Sequence, residues 1–153
     1  MDTSVYCRPF DDQTHIRVRG EAEAFVRILG EVETGVTTLL SSDLLILEVN
    51  MIRGWIKRER VRGYLELCSE HVLARDGIRI LAEKLERACG LGGRDAYHVS
   101  SACHGRADYF LTCDDRILKR KKCIKDVAEK EGFKITLLNP VEFVGQTLGR
   151  RFS

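Results

Sequence analysis

Asp95, Asp114 and Asp115 stand at the boundaries of apparent elements within the stretch RDAYHVSSACHGRADYFLTCDDRIL, residues 94–118. Aspartates in such places have two uses. They cap helices by accepting backbone N–H groups, or they converge as hard oxygen ligands on a divalent cation such as Mg²⁺ or Mn²⁺. A bound cation of that kind acts as a Lewis acid and lowers the pKa of its water. Glu48 raises the same question, because LLILEVNMI surrounds it with apolar residues. A buried carboxylate needs a cation, a hydrogen-bond network or a proton, and an exposed one on the remaining helical stripe needs none. Asp95 is also explained by the helix macrodipole alone, and His98, one turn on, reads as a ligand, a base or a packing residue.

The elements that would carry these side chains follow from periodicity. Ala22, Phe25, Val26 and Leu29 mark an amphipathic helix over about 16–31. VTTLLSS has the β-branched character of a short buried strand, and Ser42 or Asp43 can cap the helix LLILEVNMIR. WIKRERVRGYLELC reads as a helix, as does the stripe Ile78, Leu81, Leu85 and Ala88 ending at GLGG, and RDAYHVSSACHG continues as helix to Gly105. DYFLT and KITLL read as strands, separated by the helix KCIKDVAEKEG, and NPVEFVGQTL places Asn139 and Pro140 at the start of a last helix. Strands separated by helices predict an α/β fold with a mainly parallel sheet covered on both faces. In such sheets the ligand crevice lies beyond the carboxyl ends of the strands, where Asp114 and Asp115 follow DYFLT.

The 153 residues, 44% apolar, fit one domain without repeat or linker. A net charge of +2, from 25 basic and 23 acidic residues, excludes whole-surface attraction to nucleic acid and leaves local patches. The six cysteines form no C-x-x-C pair, so neither a zinc ribbon nor a thioredoxin motif is supported. With no signal-like N-terminus and no apolar run longer than LLIL, the expectation is a cytoplasmic chain without membrane contact, its cysteines reduced and serving as small apolar residues.

Four motifs in order resemble the PIN-domain family of metal-dependent ribonucleases, which includes VapC-like toxins. They are MDTSVYCRPFDD, SSDLLILE, RDAYHVSSA and ADYFLTCDDRIL; LLNPVEF is similar to the closing segment of a large subgroup of that family. The resemblance spans nearly the whole chain and is weakest from about Asn50 to Glu70. It implies a single three-layer α/β/α domain over 1–153 with a mainly parallel central sheet, and metal ligation and catalysis by Asp2, Glu48, Asp95 and Asp114. Asp115 is implied as a further or substitute ligand, and Ser4 and Thr112 as supporting polar residues. Family members carry several apolar residues before the first aspartate; only Met1 precedes Asp2 here, so the expectation is either a start upstream of Met1 or a truncated first strand. One ion, or two about 3.5–4 Å apart, suits four acids.

RNA attraction would then come from basic patches, since acids repel a polyanion. RGWIKRERVR offers Trp55, Lys57 and Arg58, and RILKRKK offers Arg116 and Arg120; the cations would position phosphates and Trp55 would stack on a base. The alternative is a solvated helix face balanced by Glu59 and Glu66. The function expected is a Mg²⁺- or Mn²⁺-dependent endoribonuclease, possible toxin of a toxin–antitoxin pair, with RNA, an antitoxin protein and a second copy as partners. The competing reading is a weak or inactive module that binds nucleic acid or protein. The glycines of CGLGGR follow a helix, which fits a helix end better than a phosphate loop.

Overall fold

The computed structural model describes the backbone of residues 1–151 and the side chains of residues 1–147. In chain order the elements are α1 (Thr3–Cys7), a 3₁₀ turn (Arg8–Phe10), α2 (Ile16–Glu33), β1 (Leu40–Ser42), α3 (Asp43–Asn50), α4 (Trp55–Leu65) and β2 (Glu70–Val72). There follow α5 (Asp76–Cys89), α6 (Gly93–His104), β3 (Tyr109–Leu111), α7 (Asp115–Leu118), α8 (Lys121–Lys130), β4 (Thr136–Leu138) and α9 (Pro140–Arg151). This is an α/β chain dominated by helix. No helix among the described residues is long and apolar enough to cross a membrane.

Local chemistry sets the ends. Ser42 Oγ accepts from the Leu45 N–H at 3.2 Å and starts α3, while Asn139 Oδ1 accepts from the Val141 N–H at 2.8 Å and starts α9. Gly90 closes α5 in the left-handed region at φ 69°, where a side chain would be strained. Phe25, Ile28 and Leu29 of α2 are buried, but Val26, expected on that stripe, is 59% exposed.

The strands pair in parallel as two separate two-stranded sheets, β1 with β2 and β3 with β4. Hydrogen bonding therefore does not join them into the single central sheet expected. Register pairs Leu40 with Glu70 and Tyr109 with Thr136. Between the two sheets lies a cavity of about 600 Å³ lined by residues of β1 and β3, with Met1 at its wall. The sequence reading had no counterpart for β2, for the 3₁₀ turn, for the one-turn α7, or for α1, where a strand was expected to end at Asp2.

Side chains alternate across β3 and β4. Leu111 and Leu138 join a core with Val5, Tyr6, Phe25, Leu45 and Phe143. Phe110 and Leu137 join a second with Leu85, Val99, Ile117 and Ile124 on the opposite face. Helices thus cover both faces of this strand pair.

One expectation is corrected. Cys89 and Cys123 form a disulfide that joins the end of α5 to α8, with Cα atoms 5.7 Å apart. They are not reduced packing residues, and α5 against α8 brings together thiols that are 34 positions apart in sequence. Cys103 and Cys113 are buried free thiols, as expected of small apolar groups.

Candidate carboxylate site

Asp2 lies directly beside the carboxyl end of β3. Its N–H donates to the Leu111 carbonyl at 3.3 Å, which fixes the backbone one residue before α1. Both carboxylate oxygens then meet hydroxyls: Ser4 Oγ donates to Oδ1 at 2.5 Å and Thr112 Oγ1 donates to Oδ2 at 2.6 Å. These hydroxyls in turn accept the N–H groups of Cys113 at 3.1 Å and Asp114 at 3.0 Å. Asp2 is 5% exposed and fully engaged. Ser4 and Thr112 therefore connect the N-terminal acid to the loop that carries Asp114.

Asp114 accepts the Arg116 N–H at 2.9 Å, so it does cap α7. It also takes the Arg116 guanidinium, Nη2 to Oδ2 at 2.8 Å, and that hydrogen bond holds its carboxyl below the ordinary range. The Arg116 charge reaches Asp95 as well. Asp95 sits in the first turn of α6, half-buried, and no donor among the described residues bonds its carboxylate. Burial first, then the charges of Asp114 and Asp2, push its pKa up. The acids of three distant segments thus act on one another at the edge of β3.

Glu48 stands on α3 with different neighbours. His98 Nε2 contacts its Oε1, Thr3 Oγ1 donates to the same oxygen at 2.8 Å, and Arg94 approaches Oε2 at 3.7 Å. Burial pushes Glu48 up, but His98, Thr3 and Arg94 together outweigh it and hold its carboxyl low. His98, 6% exposed, joins this acid to α6 one turn beyond Asp95. Cys7 of α1 feels the charges of Asp2 and Glu48 together with Lys57.

Asp115 is directed elsewhere, to a bidentate pair with Arg17 at 2.7 and 2.8 Å, which lowers its pKa. Trp55 is 67% exposed at the start of α4, and Lys57 lies 6.0 Å from the Phe10 ring. Arg58 donates to the Ile52 carbonyl at 3.0 Å, and Arg120 to the Arg116 carbonyl at 2.6 Å. Arg116 is thus the one expected nucleic-acid contact that touches an acid of the site; its side chain is 81% exposed.

The donor set is oxygen-rich and suits a hard divalent ion. As positioned, however, no three His, Cys, Asp or Glu side chains among the described residues stand together closely enough to hold a metal. The geometry explains why: Asp2 is turned to Ser4 and Thr112, Asp114 to Arg116, and Glu48 to His98 and Thr3. Ligation would require Arg116 to leave Asp114, a motion open to an exposed side chain.

Thr3 and Arg94 gave no signal in sequence, since neither residue type is distinctive at its position. His98 had one: spaced three residues from Asp95, it falls on the same helical face. A second unanticipated relay runs along β1 and β2, where Ser41 Oγ meets His71 Nδ1 at 2.7 Å and His71 Nε2 meets Asp43 Oδ1 at 2.7 Å. Asp43 Oδ2 also accepts the Ala74 N–H at 2.6 Å, which explains the relay as an anchor for the loop before α5.

No family model, no curated protein and no solved structure matches this chain.

Proposed function

We propose that the chain is a divalent-metal-dependent endoribonuclease of the PIN type, with the three-layer fold that this assignment implies. The observation that carries the reading is the Asp2–Asp95–Asp114 group. Asp95 has its pKa raised partly by the other two, and among the described residues the cation that bonds an acid of this group is the exposed guanidinium of Arg116. Such a site is electrostatically incomplete, and a divalent ion neutralises it better than one exposed arginine.

Asp95 and Asp114 would hold the ion, with Asp2 behind them and Glu48 at the α3 side. Bound there, it would supply phosphate binding and a more acidic water. The rest of the chemistry belongs to the chain's own groups. Ser4 and Thr112 fix Asp2, His98 and Thr3 orient Glu48, and Arg116, once displaced from Asp114, is free to meet a phosphate oxygen. Lys57 and Trp55 extend the contact surface toward a single strand.

The test is cleavage of single-stranded RNA by pure protein with Mn²⁺, with chelator, and with Asp95→Asn or Asp114→Asn. The reading requires metal-dependent cleavage that both substitutions reduce by at least about a hundredfold, the scale of losing a metal-activated nucleophile. RNA binding without cleavage under any of these conditions would favour the inactive-module alternative, for which the full engagement of Asp2 and Glu48 by internal donors is the supporting observation. Co-purification with a small partner protein that suppresses cleavage would extend the reading to a toxin role.

A further inference from the structure

Cys89 and Cys123 cross-link α5 to α8, yet the two sulfurs stand in opposite surroundings. Cys89 is the last residue of α5, 8% exposed, in the core built around Leu85, Val99 and Ile124. Cys123 is half-buried in the first turn of α8, whose start carries neither a side-chain cap nor an acid. The positive end of that helix is therefore left uncompensated by its own first turn.

Cations add to it. KRKKCIK places Lys121, Lys122 and Lys125 within two residues of Cys123, all three exposed. Arg120 Nε stands 3.8 Å from where a β-carbon would sit on Gly90, the residue after Cys89. Three groups oppose these charges: the Ala88 carbonyl oxygen, 3.4 Å from Cys123 Sγ, Asp126 one turn along α8, and Glu86, whose carboxylate turns to Gly93. A thiolate, not a thiol, attacks a disulfide, and a helix start beside cations favours the thiolate. Cys123 has that setting. The four free cysteines do not, since burial pushes Cys7, Cys68, Cys103 and Cys113 all up.

We propose that Cys89 and Cys123 are a thiol–disulfide exchange couple that, once reduced, takes a small anionic disulfide as its substrate. Cys123 is the attacking sulfur and Cys89 the resolving one. The Cys123 thiolate bonds one sulfur of the substrate, whose S–S bond breaks and whose other sulfur leaves as a thiolate and takes up a proton. Cys89 gives up its proton, attacks Cys123 Sγ and expels the second thiolate, which is protonated in turn. The chain thereby loses two electrons and two protons, and the substrate becomes two thiols. The cations beside Cys123 select a substrate that bears carboxylates. This goes beyond the nuclease reading and does not depend on it.

The probe is glutathione disulfide, added to the fully reduced chain at pH 7, with mass spectrometry following each cysteine. In the parent the Cys89–Cys123 bond is expected to return without a lasting mixed disulfide. In Cys89→Ser a mixed disulfide is expected at Cys123, at least about tenfold sooner than at Cys7 or Cys68. With each rate scaled to that of free cysteine, glutathione disulfide should outpace the cationic disulfide cystamine at least about threefold at low salt, and Lys121→Gln with Lys122→Gln should narrow that ratio. Alkylation of Cys89→Ser by iodoacetamide across pH should show Cys123 ionising below the ordinary value of about 8.5, and higher once the two lysines are replaced. The proposal is overturned if Cys123 reacts no faster than Cys7 or Cys68, if it ionises at or above the ordinary value, or if the two disulfides react alike after scaling. Any of these results leaves the bond as a structural cross-link. Should Cys89→Ser fail to fold, the order of alkylation in the reduced parent decides alone: Cys123 first supports the couple, and any other thiol first overturns it.

Discussion

Asp95 shows how a single carboxyl couples the site to stability. Its folded pKa lies above the ordinary 3.8 because of burial and the charges of Asp114 and Asp2. Between the two values the folded chain keeps a proton that the unfolded chain has released, so this group lowers stability as pH rises through that window. Below the unfolded value the effect vanishes, and above the folded value it is fully present. In chelator at pH 7, Asp95→Asn should therefore stabilise the chain, by an order of 0.5 kcal/mol after discounting for partial exposure. Melting curves at pH 7 and near pH 3 check this, since the gain should disappear at the acid end. Thr112 has the opposite role. Its hydroxyl satisfies Asp2 Oδ2 and the Asp114 N–H at once, so Thr112→Val should cost about 1–3 kcal/mol in denaturant titrations. The candidate acids were legible as residue types beside strand ends and in a helical first turn. Their internal partners were not, because the Thr3–Glu48 bond joins positions 45 apart and the Thr112–Asp2 bond positions 110 apart.

At the scale of elements, buried charge ties helices that periodicity could place but not orient. Glu21 of α2, 1% exposed, accepts from Arg8 at 3.0 and 3.2 Å and from Asn139 Nδ2 at 2.5 Å, and Arg17 stands 3.4 Å away. It thereby links the 3₁₀ turn, α2 and the start of α9. Glu21→Ala should cost about 3–5 kcal/mol, the scale of breaking a buried pair, and urea unfolding measures it. The disulfide between α5 and α8 offers a second check: reduction, or Cys89→Ser, should lower stability by about 2–4 kcal/mol and the melting temperature by several degrees. Long amphipathic helices such as α2 and α5 were readable because their burial has a 3.6-residue period. β2 was not: Glu70 and His71 are exposed, and only Val72 is buried. α1 was hidden because TSVYC has strand-like composition, and tertiary contact places it in a helix between Asp2 and the core.

The whole molecule sets two short parallel sheets side by side and gathers the acids where β3 and the N-terminus meet. The order of the longer helices and of β1, β3 and β4 followed from the sequence, but β2, α1 and the division into two sheets did not, since three-residue strands leave no trace of which neighbour they pair with. Function at this scale depends on whether the group now balanced by Arg116 takes a divalent ion instead. Calorimetric titration of Mn²⁺ into the parent chain, Asp95→Asn and Arg116→Ala tests that most directly, without any knowledge of the RNA target. The account predicts measurable binding to the parent, a loss of at least about tenfold in Asp95→Asn, and tighter binding in Arg116→Ala, where the competing guanidinium is gone. Heats indistinguishable from dilution in both the parent and Arg116→Ala would contradict it and leave the acids as a set of structural hydrogen-bond acceptors.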